Sequence, residues 1–266
     1  MRVILYLTAA VGLAWMVAPA IAQSGDPNAD TCFKKSGDVA IAACTAAIQS
    51  GKFDAKNLAI MFYNRAFEYD SKKDYGHAMA DYSEAIRLNP QDADVFFNRA
   101  HAYADQKDYV HAITDYDEAI RLRPQDPDAF VNRGLAYHNL KDYGHAIADY
   151  SEAIRLNPRD AIVFYDRGNT YAAQKDSARA IVDYSEAIRL NPRDESAFFN
   201  RGHTYEELKD YVRAIADFDE AIRYKPRNAK YLYARGLAKA KLGQSAGSKA
   251  DIARAMAIDP NIGKGP

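Results

Sequence analysis

Cysteine is nearly absent from this chain of 266 residues, which has only Cys32 and Cys44. No Cys-x-x-Cys spacing exists, so little points to a dithiol redox site, and two thiols alone make a poor metal site. Net charge is lacking too. Lys plus Arg is 35 against 36 for Asp plus Glu, which leaves no electrostatic footprint for a phosphate backbone and excludes a nucleic-acid partner. Fourteen glycines and ten prolines are too few for collagen-like or low-complexity sequence. At 48% hydrophobic and 27% charged, the chain has what an ordinary packed core needs. No nucleophile elbow, phosphate loop or zinc signature is read. Ser, His and Asp are plentiful, but they return in register with a repeat. A residue present in every unit is explained by the unit, so neither an enzyme nor a cofactor or metal site is expected.

One apolar run exists, residues 3–18, and it is short for a membrane span. Arg2 precedes it, Ala20-Ile21-Ala22 follows it, and the next charge is Asp26. This is the pattern of a signal peptide, residues 1–22, cut before Gln23; the alternative is an uncleaved anchor. Without Arg2, 34 basic and 36 acidic side chains remain, a net of −2. Export gives a periplasmic or secreted protein, where a cysteine pair closes. Ser36-Gly37-Asp38 is a turn signal, and both cysteines are six residues from Asp38. An antiparallel hairpin turning there sets Cys32 level with Cys44. A disulfide between them is expected to contribute about 2–3 kcal/mol by restricting the unfolded chain.

What is abundant is periodicity. Pro90, Pro124, Pro158, Pro192, Pro226 and Pro260 stand 34 residues apart, the mark of a solenoid. With the unit begun at Ala59, each proline falls at position 32, in units 59–92, 93–126, 127–160, 161–194, 195–228 and 229–262. Position 27 is alanine in all six, from Ala85 to Ala255. Position 8 is small, position 4 large and apolar, and position 11 tyrosine in five units, from Tyr69 to Tyr205. Positions 4, 8 and 11 make one helical face, and 20, 24, 27 and 28 another, so each unit reads as two helices. Aspartate at position 16 (Asp74, Asp108, Asp142, Asp176, Asp210) can cap the second helix, and at position 34 the next first helix. Proline at position 32 stops the second helix.

The aromatic at 4, small residue at 8, Tyr at 11, Ala at 20 and 27 and Pro at 32 resemble the tetratricopeptide repeat family across residues 59–262. The resemblance implies an all-α, right-handed α-solenoid of helix-turn-helix repeats. Residues 26–58 read as a degenerate first helical pair held by the disulfide, 229–262 as a capping unit and 263–266 as a tail. The cysteine pair together with the Asn-Arg-Gly and Ala-Asp-Tyr repeats looks like exported bacterial members of the family.

One column departs from the family. Position 7, typically leucine, is Arg65, Arg99, Arg133, Arg167, Arg201 and Arg235; position 23 is Asp81, Asp115, Asp149, Asp183, Asp217 and Asp251. Both lie eight residues from the middle of the turn, so an antiparallel pair sets them opposite each other. A partly buried, bidentate ion pair is expected inside every repeat; two separate solvated charges are the alternative.

The resemblance also implies a groove lined by positions 2, 5, 6, 9, 12 and 13 of the first helices. There the chain carries aromatics (Tyr63, Phe97, Tyr165, Phe199) beside an asparagine ladder (Asn64, Asn98, Asn132, Asn200). A carboxamide both donates and accepts, so the ladder suits an extended peptide backbone; equally, the asparagines could only tie neighbouring helices together. The acids of these columns are Asp70, Asp94, Asp105, Asp128, Asp166, Glu206 and Glu207, against Lys230 and Lys241. Positions that form a basic carboxylate clamp in chaperone-binding relatives are not basic in the first five units. A neutral or basic segment is therefore the expected guest of a non-catalytic interaction adaptor. The alternative is a cell-envelope scaffold that self-associates through its convex face and ends, a possible homo-oligomer. The histidines and the runs Ser83-Glu84 and Asp117-Glu118 read as surface residues.

Overall fold

A computed structural model of the chain describes residues 26–264, so the expected leader and its cleavage point lie outside the described residues. Every element among the described residues is helical, and there are fourteen. The chain divides into two compact units. The first, Met1–Leu140, holds α1 (Pro27–Lys34), α2 (Gly37–Gln49), α3 (Ala55–Ser71), α4 (Tyr75–Leu88), α5 (Ala93–Asp105), α6 (Tyr109–Leu122) and α7 (Pro127–Asn139). The second, Lys141–Pro266, holds α8 (Tyr143–Leu156), α9 (Ala161–Ala173), α10 (Ser177–Leu190), α11 (Glu195–Glu207), α12 (Tyr211–Tyr224), α13 (Ala229–Lys241) and α14 (Ser245–Ile258). Within each unit every helix packs chiefly on its neighbours in sequence.

The boundaries follow from local chemistry. Asp74, Asp108, Asp142, Asp176 and Asp210 each accept from the backbone N–H three residues on, at the start of a second helix. Asp92, Asp126, Asp160 and Asp194 cap the first helices, and Pro127 takes the first helical position behind Asp126. Within each repeat the first helix ends in a left-handed residue, Lys73, Lys107, Lys141, Lys175 or Lys209, with φ of 61–64°. The N–H after the first of them returns to the Tyr69 carbonyl at 2.9 Å, closing the helix end. In the last repeat this place belongs to Gly243, which adopts such a φ without steric cost.

In each unit the position-24 side chains anchor the core. Tyr82, Tyr116, Tyr150, Tyr184 and Phe218 are the largest fully buried side chains. Each needs a small residue opposite, and here the close approach is measurable. A β-carbon on Gly202 would sit 2.7 Å from the Phe218 ring and 3.3 Å from the Ala214 carbonyl. Alanine gains about 1 kcal/mol over glycine in a helix, but overpacking typically costs about 1–3 kcal/mol. Gly202→Ala is expected to lower stability by about 1 kcal/mol net, read from the urea unfolding midpoint.

At the N-terminal end, Cys32 and Cys44 are joined, with Cα atoms 4.7 Å apart, and the bond lies in a small cluster with Ala29, Ala43, Ala47 and Met61. The disulfide thus ties α1 to α2 over the base of α3.

Candidate functional site

Five arginine–aspartate pairs lie within single units. Arg65 reaches Asp81 through Nε at 2.7 Å and Nη2 at 2.8 Å; Arg99 and Asp115, Arg167 and Asp183, Arg201 and Asp217, and Arg235 and Asp251 make the same fork at 2.5–2.9 Å. The aspartates are buried, and each arginine lies half-buried. Four of these arginines also lie over the position-4 phenylalanine one turn back, at 5.4–6.0 Å. Arg133 belongs to the first unit and Asp149 to the second, so that pair stays an expectation from the sequence.

The remaining guanidinium nitrogen does something the sequence reading missed. Nη1 of each arginine reaches back to position 25 of the preceding repeat: Arg99 to Ser83 (3.0 Å), Arg133 to Asp117 (2.6 Å), Arg167 to Ser151 (2.9 Å), Arg201 to Ser185 (2.9 Å) and Arg235 to Asp219 (2.6 Å). Arg65 finds Thr45 in the same way. Ser83 and Asp117, read as solvated, are therefore inter-repeat acceptors on an otherwise wet face. The signal was there, since position 25 is a hydroxyl or carboxylate in units one to five.

The aromatic row is half-buried rather than laid out on a surface. Tyr63, Phe97, Tyr165 and Phe199 each pack against the position-24 ring of their own repeat, with centroids 5.6–6.2 Å apart. The asparagines are partly committed as well. Asn98 donates to the Tyr63 hydroxyl at 2.8 Å. Asn200 donates to the Tyr165 hydroxyl at 3.0 Å and to Asn169 Oδ1 at 2.8 Å, an oxygen that also accepts from the Tyr184 hydroxyl. Asn132 is 7% exposed and donates to the Asp128 carbonyl of its own helix. Asn98 and Asn200 thus tie neighbouring first helices, while the half-buried Asn64 makes no side-chain hydrogen bond among the described residues.

The charge inventory of the groove columns also changes. Arg123 clamps Asp94 with two bonds of 2.6 and 2.5 Å, Lys175 pairs with Glu207, and His203 with Glu206. Asp70 and Asp166 carry no hydrogen bond or ion pair from their carboxylates among the described residues. Burial, helped by Asp105 and opposed by His101, raises Asp70 to about 6. Burial first, then Asp160 and Asp194, raises Asp166 to about 7.

In the second unit a cavity of about 390 Å³ lies between the first helices α11 and α13. Phe199, Tyr233, Leu237 and Ile262 supply its apolar lining, and Glu206 and Lys230 its charged one. Ile262 comes from the segment after α14, whose place against α13 was not legible from the repeat pattern. Among the described residues no group of His, Cys, Asp and Glu could hold a metal, and no helix is long and apolar enough to cross a membrane. His77, His111 and His145 are exposed, whereas His101 is not a surface residue: its Nε2 is buried. Gly243 to Gly247 spell G-x-S-x-G, unnoticed in the sequence reading, but Ser245 opens α14 after a helix rather than a strand, so no nucleophile elbow forms.

Known proteins give a consistent comparison. The family described as "TPR repeat" matches residues 66–107, 100–141 and 169–209, and that described as "Tetratricopeptide repeat" matches 127–160, 196–228 and 229–262. No curated protein matches the chain. Among solved structures, pilF of Pseudomonas aeruginosa is 18% identical, with TM-score 0.63, and the match covers 76% of this chain and 92% of that one. A tetratricopeptide repeat protein from Parabacteroides merdae is 19% identical, with TM-score 0.63, covering 84% and 87%. YrrB, described as a TPR protein with an unusual peptide-binding site, is 22% identical, with TM-score 0.59, covering 68% and 93%. At these identities the likeness is one of fold.

Proposed function

The chain belongs to the tetratricopeptide repeat family, and from that premise we infer that it is a non-catalytic binding module which takes an extended peptide segment along the inner face of its first helices. The observation that carries this reading is the cavity between α11 and α13, built from position-5 and position-9 side chains with Glu206 and Lys230 also in its lining. Its apolar side chains provide the burial that drives association, and its two charged ones provide orientation. YrrB, a protein of the same fold with a peptide-binding site, supports the same use.

The uncompensated carboxylates of Asp70 and Asp166 favour a neutral or basic guest, since a second acid beside them is repelled. The Cys32–Cys44 bond and the expected leader support a place outside the cytoplasm. Leu237 is 38% exposed in the cavity wall, so a charge there is tolerated by the fold and not by an apolar guest. Screened against an array of extended decapeptides, Leu237→Asp is expected to lose about tenfold or more in affinity with an unchanged melting temperature. Peptide binding that ignores this substitution, measured by fluorescence polarisation, places the guest elsewhere.

A further inference from the structure

The cap column of the repeat ends on a residue that cannot cap. Asp92, Asp126, Asp160, Asp194 and Asn228 stand 34 residues apart, and each accepts from the backbone N–H two residues on. The same register next reaches Ile262, which has no polar side-chain atom, and no helix follows it among the described residues. Its side chain turns inward instead. It packs on the cluster of Phe198, Tyr231 and Leu232 and lines the cavity between α11 and α13. The backbone goes with it. The Ile262 N–H donates to the Asp259 carbonyl at 3.1 Å and the Lys264 N–H to the Asn261 carbonyl at 3.0 Å, two turns that bring Gly263 onto the ring of Tyr233. Gly263 has a φ of 79°, and a β-carbon on it would lie 2.6 Å from that ring, so glycine is required there and no second chain passes between the two.

We propose that residues 259–264 occupy the α13 end of the groove in place of a guest. A bound segment displaces them and sets a branched aliphatic side chain, with a glycine beside it, where Ile262 and Gly263 now lie. The overlap is steric. Tyr233 and Leu237 are the position-5 and position-9 side chains of α13, the surface a guest needs, and the segment already covers Tyr233. The chemistry of the place is set by what fills it: an aliphatic side chain among Phe199, Tyr233 and Leu237, followed by a backbone that touches a ring. The hold is light. Asn261, Gly263 and Lys264 are exposed, so one half-buried side chain and two turn hydrogen bonds keep the segment down. Segments held by so little open locally at small cost. A guest that binds only the open form loses affinity in proportion to how rarely that form occurs. The assignment rests on the groove reading and names the guest's residues over α13.

Two substitutions in the full chain lift the segment by different routes. Ile262→Ser removes the buried side chain, and Gly263→Val drives a branched one against Tyr233. Neither residue lies in a helix, and circular dichroism should show the helices intact in both variants. Decapeptides of the array that bind the wild-type chain are expected to bind each variant about tenfold more tightly by fluorescence polarisation. An unchanged affinity would show that segment and guest do not compete; a weakened one would show that Ile262 belongs to the guest's binding surface. Either result overturns the proposal. A second probe needs no guest from the array. The blocked hexapeptide Asp-Pro-Asn-Ile-Gly-Lys is titrated into the Ile262→Ser chain while the Tyr233 ring resonances are followed by NMR. A saturable shift is expected, and it should vanish when the peptide carries serine in place of isoleucine. No shift, or equal shifts with both peptides, likewise overturns it. The two readings fail separately: an array without binders sinks the groove even where the hexapeptide binds, and array binding that ignores both substitutions leaves the groove and sinks the displacement.

Discussion

Arg167→Ala is expected to destabilise the protein by about 3–5 kcal/mol, the cost of stranding a buried charge. Asp183 is 3% exposed and takes both of its charge-assisted bonds from this guanidinium, at 2.8 and 2.9 Å. The substitution also strips the Ser151 hydroxyl of its donor and uncovers the Phe164 ring, 5.7 Å from the guanidinium carbon. Arg167→Lys is expected to recover less than half of the loss, because a point charge cannot make the fork and reach Ser151 at once. Replacing both partners, Arg167→Met with Asp183→Leu, is expected to restore most of it, since a well-packed apolar pair removes the desolvation cost of both ions. Urea unfolding followed by circular dichroism checks all three. An unchanged midpoint for the alanine variant would show that the pair contributes nothing. Hydrogen exchange should place the loss in α9 and α10, because each repeat answers mainly to its neighbours.

The second large effect has the opposite sign. Asp166→Asn is expected to stabilise the protein by about 2–3 kcal/mol at alkaline pH and to change little near pH 4. The same column holds asparagine in Asn64, Asn98, Asn132 and Asn200, and the aspartate here has Asp160 and Asp194 for neighbours and no cation. Its carboxyl is raised from 3.8 to about 7, so the folded state holds the proton more tightly than the unfolded chain. The stability this confers is complete below the unfolded value and is lost as pH rises through about 7. A tenfold difference in proton affinity between the folded and unfolded chain corresponds to about 1.4 kcal/mol, and water reaching the half-buried side chain brings the total down to the figure given. Unfolding midpoints at pH 4, 6 and 8 should show the gap between variant and wild type opening over that interval. A gap independent of pH would mean that Asp166 does not titrate there.

How far the sequence was legible depends on whether an interaction repeats. The two-helix period, the aspartate caps and the arginine–aspartate columns recur every 34 residues, and recurrence multiplies a weak signal. Contacts made once carry no such signal. Arg123 clamps Asp94 from outside the groove columns, and Ile262 closes a cavity from beyond the last repeat. The Tyr82 hydroxyl loses its partner only because Phe67 stands where Asn169 stands three repeats later. The asparagine ladder failed differently. Its donors could serve a guest or a neighbouring helix equally well, and only the spacing of adjacent repeats decides that Asn98 meets Tyr63.

The backward reach of Nη1 has a consequence for how the molecule comes into being. When Arg201 leaves the ribosome, Ser185 is already made, whereas Asp217 is still sixteen residues from synthesis. The acceptor for Nη1 thus precedes the arginine in the chain and the carboxylate follows it, so a repeat removed from the amino side strips a bond from its successor.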